Sequence, residues 1–189
     1  SWIRFRSWTY APKIKYSGNS NKLNNGFWNN LKKPIFVLAP MADVTDAAFR
    51  RVIAKYGKPD VMWTEFVSAD GLALAPEEPA RTADGHRSGG GRKKLLKDLE
   101  YSESERPIVA QFFTSSPENM KKAAQLAREL GFDGVDINMG CPVDAISKQE
   151  AGAALIKSPE TALQLIEAAR DGAGNRPVSV KTRIGFNTI

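Results

Sequence analysis

"RPIVAQFFTSSPENMKKAAQLARELGFDGVDINMG", residues 106–140, spells out a strand, a helix and a second strand in one stretch. The apolar runs at 106–113 and 133–140 have the length and composition of buried strands. Between them, "SPENMKKAAQLARELG" (116–131) predicts an amphipathic helix, with Ser116 as its cap, Pro117 at the first position and Gly131 at the end. Working outward, "PIFVLAP" (34–40) and "DVMWTEFVS" (60–68) are two earlier strands and "RPVSVKTRIG" (176–185) a later one. "VTDAAFRRVIAKYG" (44–57) predicts a helix with Thr45 or Asp46 as N-cap and Gly57 at its C-terminal end. "SPETALQLIEAARDG" (158–172) predicts another, opened by the same Ser-Pro-Glu device.

Short apolar strands alternating with amphipathic helices imply a parallel sheet. A doubly wound sheet and a β/α barrel both carry this rhythm. No G-x-G-x-x-G follows the first strand, which counts against a dinucleotide site of the Rossmann type. Polar or reactive residues gather at the C-terminal ends of successive strands: Met41, Glu65, Gln111, Asn138 with Cys141, and Lys181 with Arg183. That placement is where a barrel carries its active site. The expected fold is therefore a TIM (β/α)8-type barrel. It is incomplete here, because five strands of eight are present and a whole barrel takes about 250 residues.

The 189 residues are 42% hydrophobic and 25% charged, as in an ordinary globular protein. No apolar run is long enough to span a membrane. One cysteine excludes an internal disulfide and a cysteine-built zinc site, and one histidine argues against a multi-histidine metal centre or a histidine-based triad, so no metal is expected. The net charge of +6 is concentrated at one end. Residues 1–33 hold seven of the 27 basic residues and none of the 21 acidic ones, so the remainder is nearly neutral. That segment reads as a basic, unstructured leader, with an RNA-binding arm and an organelle-targeting segment as the other readings. Residues 76–94, "PEEPARTADGHRSGGGRKK", read as a loop or insertion, with His86 a solvated residue inside it.

Six segments, in order, resemble the tRNA-dihydrouridine synthases: "LAPMADVTDAAFR", "TEFVSADGLAL", "PIVAQFF", "DGVDINMGCPV", "AGAALI" and "VSVKTRIG", together covering about residues 27–187. The resemblance implies an FMN-binding barrel, NADPH as electron donor and tRNA as substrate, in a cytoplasmic enzyme that reduces the C5–C6 double bond of uridine. In that family reduced flavin delivers hydride to C6 and a cysteine protonates C5; Cys141 matches that cysteine. A free thiol titrates near about 8.5 and so is mostly protonated at neutral pH, as a general acid must be. The other reading of Cys141 is a small core residue.

By the same resemblance Lys181 contacts the flavin ring, Gln111 hydrogen-bonds it, and Pro40, Met41 and Ala42 pack beside it. Asn138 would approach the target uracil, and Arg183 the flavin or an RNA phosphate; a turn-capping asparagine and a salt-bridged arginine are the structural alternatives. Glu65 has no catalytic task assigned, only a place as an ion-pair partner, and Lys148 lies where RNA backbone or solvent could meet it. Residues 34–189 correspond to the N-terminal portion of the family's barrel, without its last strands or helical tRNA-binding domain. A fragment that binds FMN poorly alone is the expectation. Two other readings remain at this point: another FMN-dependent barrel oxidoreductase acting on a small molecule, and a non-catalytic RNA-binding fragment.

Overall fold

The computed structural model describes residues 26–75 and 91–186. In chain order its elements are β1 (Val37–Leu38), α1 (Ala47–Tyr56), β2 (Val61–Ser68), α2 (Ala69–Leu74), α3 (Arg92–Lys97) and β3 (Ile108–Phe113). They continue with α4 (Pro117–Glu129), β4 (Gly134–Met139), α5 (Asp144–Ser147), α6 (Pro159–Ala173) and β5 (Val178–Thr182). All five strands are parallel and lie in the order β1-β2-β3-β4-β5.

That order settles which architecture is present. A doubly wound sheet reverses direction at a switch point. Here every strand lies beside its predecessor, and crossovers of the usual right hand then place all helices on one face. The result is five strands of a β/α barrel, with a helical layer outside and an inner face of the kind a barrel encloses. In that layer α4 packs against both α2 and α6. Gly172 lets the α4–α6 pair close, since a Cβ there would stand 2.3 Å from the Lys121 carbonyl oxygen.

Each predicted element forms, with instructive differences at its ends. Prolines at 34 and 40 lack N–H donors, and only Val37 and Leu38 of the first apolar run pair with β2. Asp46 caps α1 by accepting from the Phe49 N–H at 2.7 Å, and Ser116 caps α4 by accepting from the Asn119 N–H at 3.3 Å. Ser158 makes no such side-chain bond. Its backbone already closes the preceding 3-10 turn, Gly152–Lys157, by donating to the Leu155 carbonyl. Residues 92–94, the end of the loop expected at 76–94, are helical and open α3 (Arg92–Lys97); residues 76–90 of that loop, His86 among them, lie outside the described residues.

The main core lies between sheet and helices. Ile108, Ala110 and Phe112 of β3 and Val135 and Ile137 of β4 meet Met120, Ala123, Ala124, Leu165 and Ala169 from the helices. Arg50 of α1 is fully buried and ties α1 to the segment before β3. Its guanidinium pairs with Glu105 at 2.7 Å and donates to the carbonyls of Thr45 and Glu100, so the buried charge is fully partnered. On the opposite face, Phe27, Trp28, Leu31 and Ile35 pack on Val61, Trp63 and Val109. The 3-10 turn Gly26–Asn30 thus closes the lower end of the inner face, and the packed body begins before residue 34.

Candidate active site

The upper inner face is assembled by strand alternation, which turns every second residue of β3, β4 and β5 away from the helices. Gln111 of β3, Asp136 of β4 and Ser179 of β5 are register neighbours and form one row. Asn138 and Lys181 are paired in the next row on the same face. β2 joins the row through a bulge between Trp63 and Phe66. The extra residue re-aims the strand: Phe66 comes level with Gln111 and meets Phe113 edge-on at 5.8 Å, while Val67 turns to the helical core. Thr64 fills the interrupted ladder, its hydroxyl oxygen accepting from the Gln111 backbone N–H at 3.2 Å.

Asp136 sits at the centre of the row and is 2% exposed. One carboxylate oxygen accepts from Gln111 Nε2 and the other from Ser179 Oγ, each at 2.5 Å. Burial pushes this carboxyl above its ordinary range, against the hydrogen bonds from Gln111 and Ser179, the neighbouring Trp63 indole N–H and the nearby charge of Lys181. That indole N–H itself has no hydrogen-bond partner among the described residues. The Gln111 amide oxygen, also buried, has no hydrogen-bond partner among the described residues. Buried polar atoms are almost always satisfied, so this oxygen fits a site meant for a ligand N–H. Lys181 is exposed on the same face, which would put a cation beside such a ligand.

Above the row, the chain turns at Gly140-Cys141-Pro142, and the turn is clamped from three directions. Asn138 Oδ1 accepts from the backbone N–H groups of Gly140 at 3.1 Å and Cys141 at 2.9 Å. Arg183 Nε donates to the Gly140 carbonyl at 2.6 Å. The Cys141 carbonyl accepts from the Ala153 N–H at 2.8 Å. Gly152 makes that last contact feasible: its φ is +62, and a Cβ would stand 2.6 Å from the Cys141 carbonyl oxygen. The Cys141 thiol is free and partly exposed on this rigid support.

The structure therefore gathers Gln111, Asn138, Lys181, Cys141 and Arg183 at one end of β3, β4 and β5. Asn138 and Arg183 both serve the turn: the asparagine oxygen is spent on capping it, leaving the Nδ2 group for any ligand. Pro40, Met41 and Ala42 follow β1 at the same end of the sheet. The buried Thr45 hydroxyl anchors them by accepting from the Met41 N–H at 3.0 Å and donating to its carbonyl. Glu65 has no cation partner among the described residues; it accepts from the Asp43 backbone N–H, and burial first, then surrounding acidic groups, raises its pKa. Lys148 is exposed at the end of α5. Among the described residues no group of His, Cys, Asp or Glu could hold a metal, and no helix is long and apolar enough to cross a membrane.

Sequence reading missed Asp136, Ser179, Thr64 and the role of Gly152. Gly152 lies in a quoted motif, "AGAALI", but only the fold shows what it touches.

The family model described as dihydrouridine synthase matches residues 37–188. A Bacillus subtilis (strain 168) protein named probable tRNA-dihydrouridine synthase 2 is 43% identical over 167 residues, covering 88% of this chain and 46% of that protein. A Staphylococcus epidermidis protein named probable tRNA-dihydrouridine synthase is 40% identical over the same length, with the same shares covered. The chain spans about half the length of these relatives. With a match that takes in every strand and the whole Cys141 turn, the chain belongs to the dihydrouridine synthase family.

Proposed function

We propose that this chain supplies the flavin-ring side and the proton donor of an enzyme that reduces uridine in tRNA to 5,6-dihydrouridine, using FMN and NADPH. The observation that carries the reading is the Cys141 turn. A lone thiol, partly exposed, is held by three sets of hydrogen bonds beside a face bearing a lysine and a buried acceptor without a partner among the described residues. Such rigidity is what a proton donor needs, because transfer demands a fixed distance and direction.

When bound, FMN reduced by NADPH would supply the hydride for C6 of the uracil ring. Cys141 donates the thiol proton to C5, and the resulting thiolate regains a proton from solvent. Lys181, with Gln111, would hold the pyrimidine end of the flavin, the ammonium offsetting negative charge there. Pro40, Met41 and Ala42 would flank the ring. Asn138 turns its remaining amide N–H groups toward the substrate base, and Arg183 keeps the Cys141 turn in place. Phe66 and Phe113 offer an aromatic wall on the same face. The reading places the chain in the cytoplasm, where its tRNA substrate would be.

The test uses a protein carrying these residues together with the remaining length its relatives possess. Dihydrouridine in tRNA is quantified by mass spectrometry with FMN and NADPH supplied. Cys141→Ala is expected to lower turnover by about 10²–10⁴-fold, the usual contribution of a general acid, while the flavin absorbance of the purified protein is retained. Unchanged turnover in that variant would remove Cys141 from the chemistry.

A further inference from the structure

Asp136 has no part in the mechanism above, yet it is the most enclosed charged group of the inner face and joins three strands. A carboxylate has acceptors only. Gln111 can meet it solely through its amide NH2, at 2.5 Å from Nε2, which forces the amide oxygen to the other side. That oxygen is buried and without a partner among the described residues. Ser179 donates to the second carboxylate oxygen and stops the group from rotating away. The Thr64 hydroxyl fixes the Gln111 backbone from the β2 side.

We infer that Asp136 is a positioning residue: it holds Gln111 with its carbonyl outward, so that the site takes a ligand edge presenting an N–H donor. A free glutamine would offer either end of its amide and would not discriminate. Satisfying one buried acceptor with the wrong kind of group leaves two acceptors facing each other, which buried sites penalise strongly. The identity of the ligand rests on the flavin reading above. An oxidised isoalloxazine ring has one N–H, the imide N–H between its two carbonyls, so that edge is the one Gln111 would receive. Lys181, one row higher on β5, then faces the adjoining carbonyl side of the same pyrimidine ring.

Two measurements, on the same longer protein used in the test above, separate the positioning role from the ligand's identity. With 15N-labelled glutamine, the Gln111 carboxamide is expected to show one proton shifted downfield and slow to exchange. In Asp136→Ala, and in the isosteric Asp136→Asn if the alanine variant fails to fold, that signature is expected to weaken or disappear. Ordinary Gln111 amide signals in the unsubstituted chain would overturn the proposal whether or not flavin binds. In the second measurement FMN and its N3-methyl analogue are titrated in turn. The unsubstituted chain is expected to prefer FMN by about tenfold, the ratio one hydrogen bond is worth. Asp136→Asn, whose amide accommodates either orientation of Gln111, is expected to bring the ratio toward one. An equal affinity for both flavins, or a ratio unchanged in Asp136→Asn, would overturn the recognition role of Asp136. If neither flavin binds while the amide signature is present, the flavin reading fails and the positioning of Gln111 stands.

Discussion

The two faces of β3 and β4 are built from the same twelve residues and obey different rules. The outer face carries Ile108, Ala110, Phe112, Val135 and Ile137, each at most 1% exposed and packed against helices. The inner face of the same strands carries Gln111, Asp136 and Asn138, almost as deeply buried but polar. Dispersion and water exclusion hold the outer face, and these are non-directional, so size and fit matter more than identity. The inner groups must each find a partner of the right kind, because an unmatched buried polar atom is costly. On the proposed reading such a face is organised around a ligand, and the Gln111 amide oxygen, without a partner among the described residues, is where that ligand would be needed.

If this division is correct, substitutions on the two faces should have different signatures. The largest effect belongs to the outer face. Phe112→Ala opens a cavity behind β3 and is expected to destabilise the fold by about 3–5 kcal/mol in urea unfolding. A cost below about 1 kcal/mol would mean that the helical layer collapses onto the gap and does not define the core.

A smaller effect is expected where the faces meet, at the turn above β4. Gly152→Ala forces a side chain into a left-handed backbone position and against the Cys141 carbonyl. The backbone conformation alone costs about 1–2 kcal/mol. The informative readout is the rate of Cys141 alkylation by iodoacetamide, which should change as the turn is displaced. An unaltered rate would show that Gly152 does not set the position of the thiol.

The smallest effect is a pH dependence of the inner face. The Asp136 carboxyl is raised above its ordinary 3.8 in the folded chain, by burial foremost. The folded state therefore binds the proton more tightly than the unfolded state. The stability this group contributes is fully present below pH 3.8 and declines as pH rises through the raised value. Asp136→Asn has no proton to lose there. Its stability relative to the unsubstituted chain is expected to increase from acid to neutral pH. A pH-independent difference between the two unfolding midpoints would show that burial of this carboxylate carries no cost.

The elements and the position of the thiol were legible in the sequence because their signals are local. Ser116-Pro117-Glu118 marks a helix start within one turn, and the Asn138–Pro142 stretch declares a strand end by its own turn chemistry. Ser158 repeats the same local signal, but its backbone sits at the end of the preceding 3-10 turn, with ψ at 70 where Ser116 has 114, and its side chain makes no cap bond. The barrel over the doubly wound sheet was inferred from polar residues at strand ends, and the strand order supplies the proof.

What tertiary structure alone decided lies in contacts between residues far apart in the chain. All six residues of β4 are buried, so "GVDINM" has no exposed positions to reveal which side faces helices and which faces the site. Asp136 becomes meaningful only when β3 brings Gln111 to one of its oxygens and β5 brings Ser179 to the other. The bulge that turns Phe66 inward depends on the register between β2 and β3, which no single strand encodes. By itself the sequence determined where the strands end and which residue carries the thiol, since periodicity and turn chemistry act over a few residues. The direction in which Gln111 presents its amide, and the glycine that seats Cys141, were decided by hydrogen bonds and steric contacts between strands and turns that only folding brings within reach.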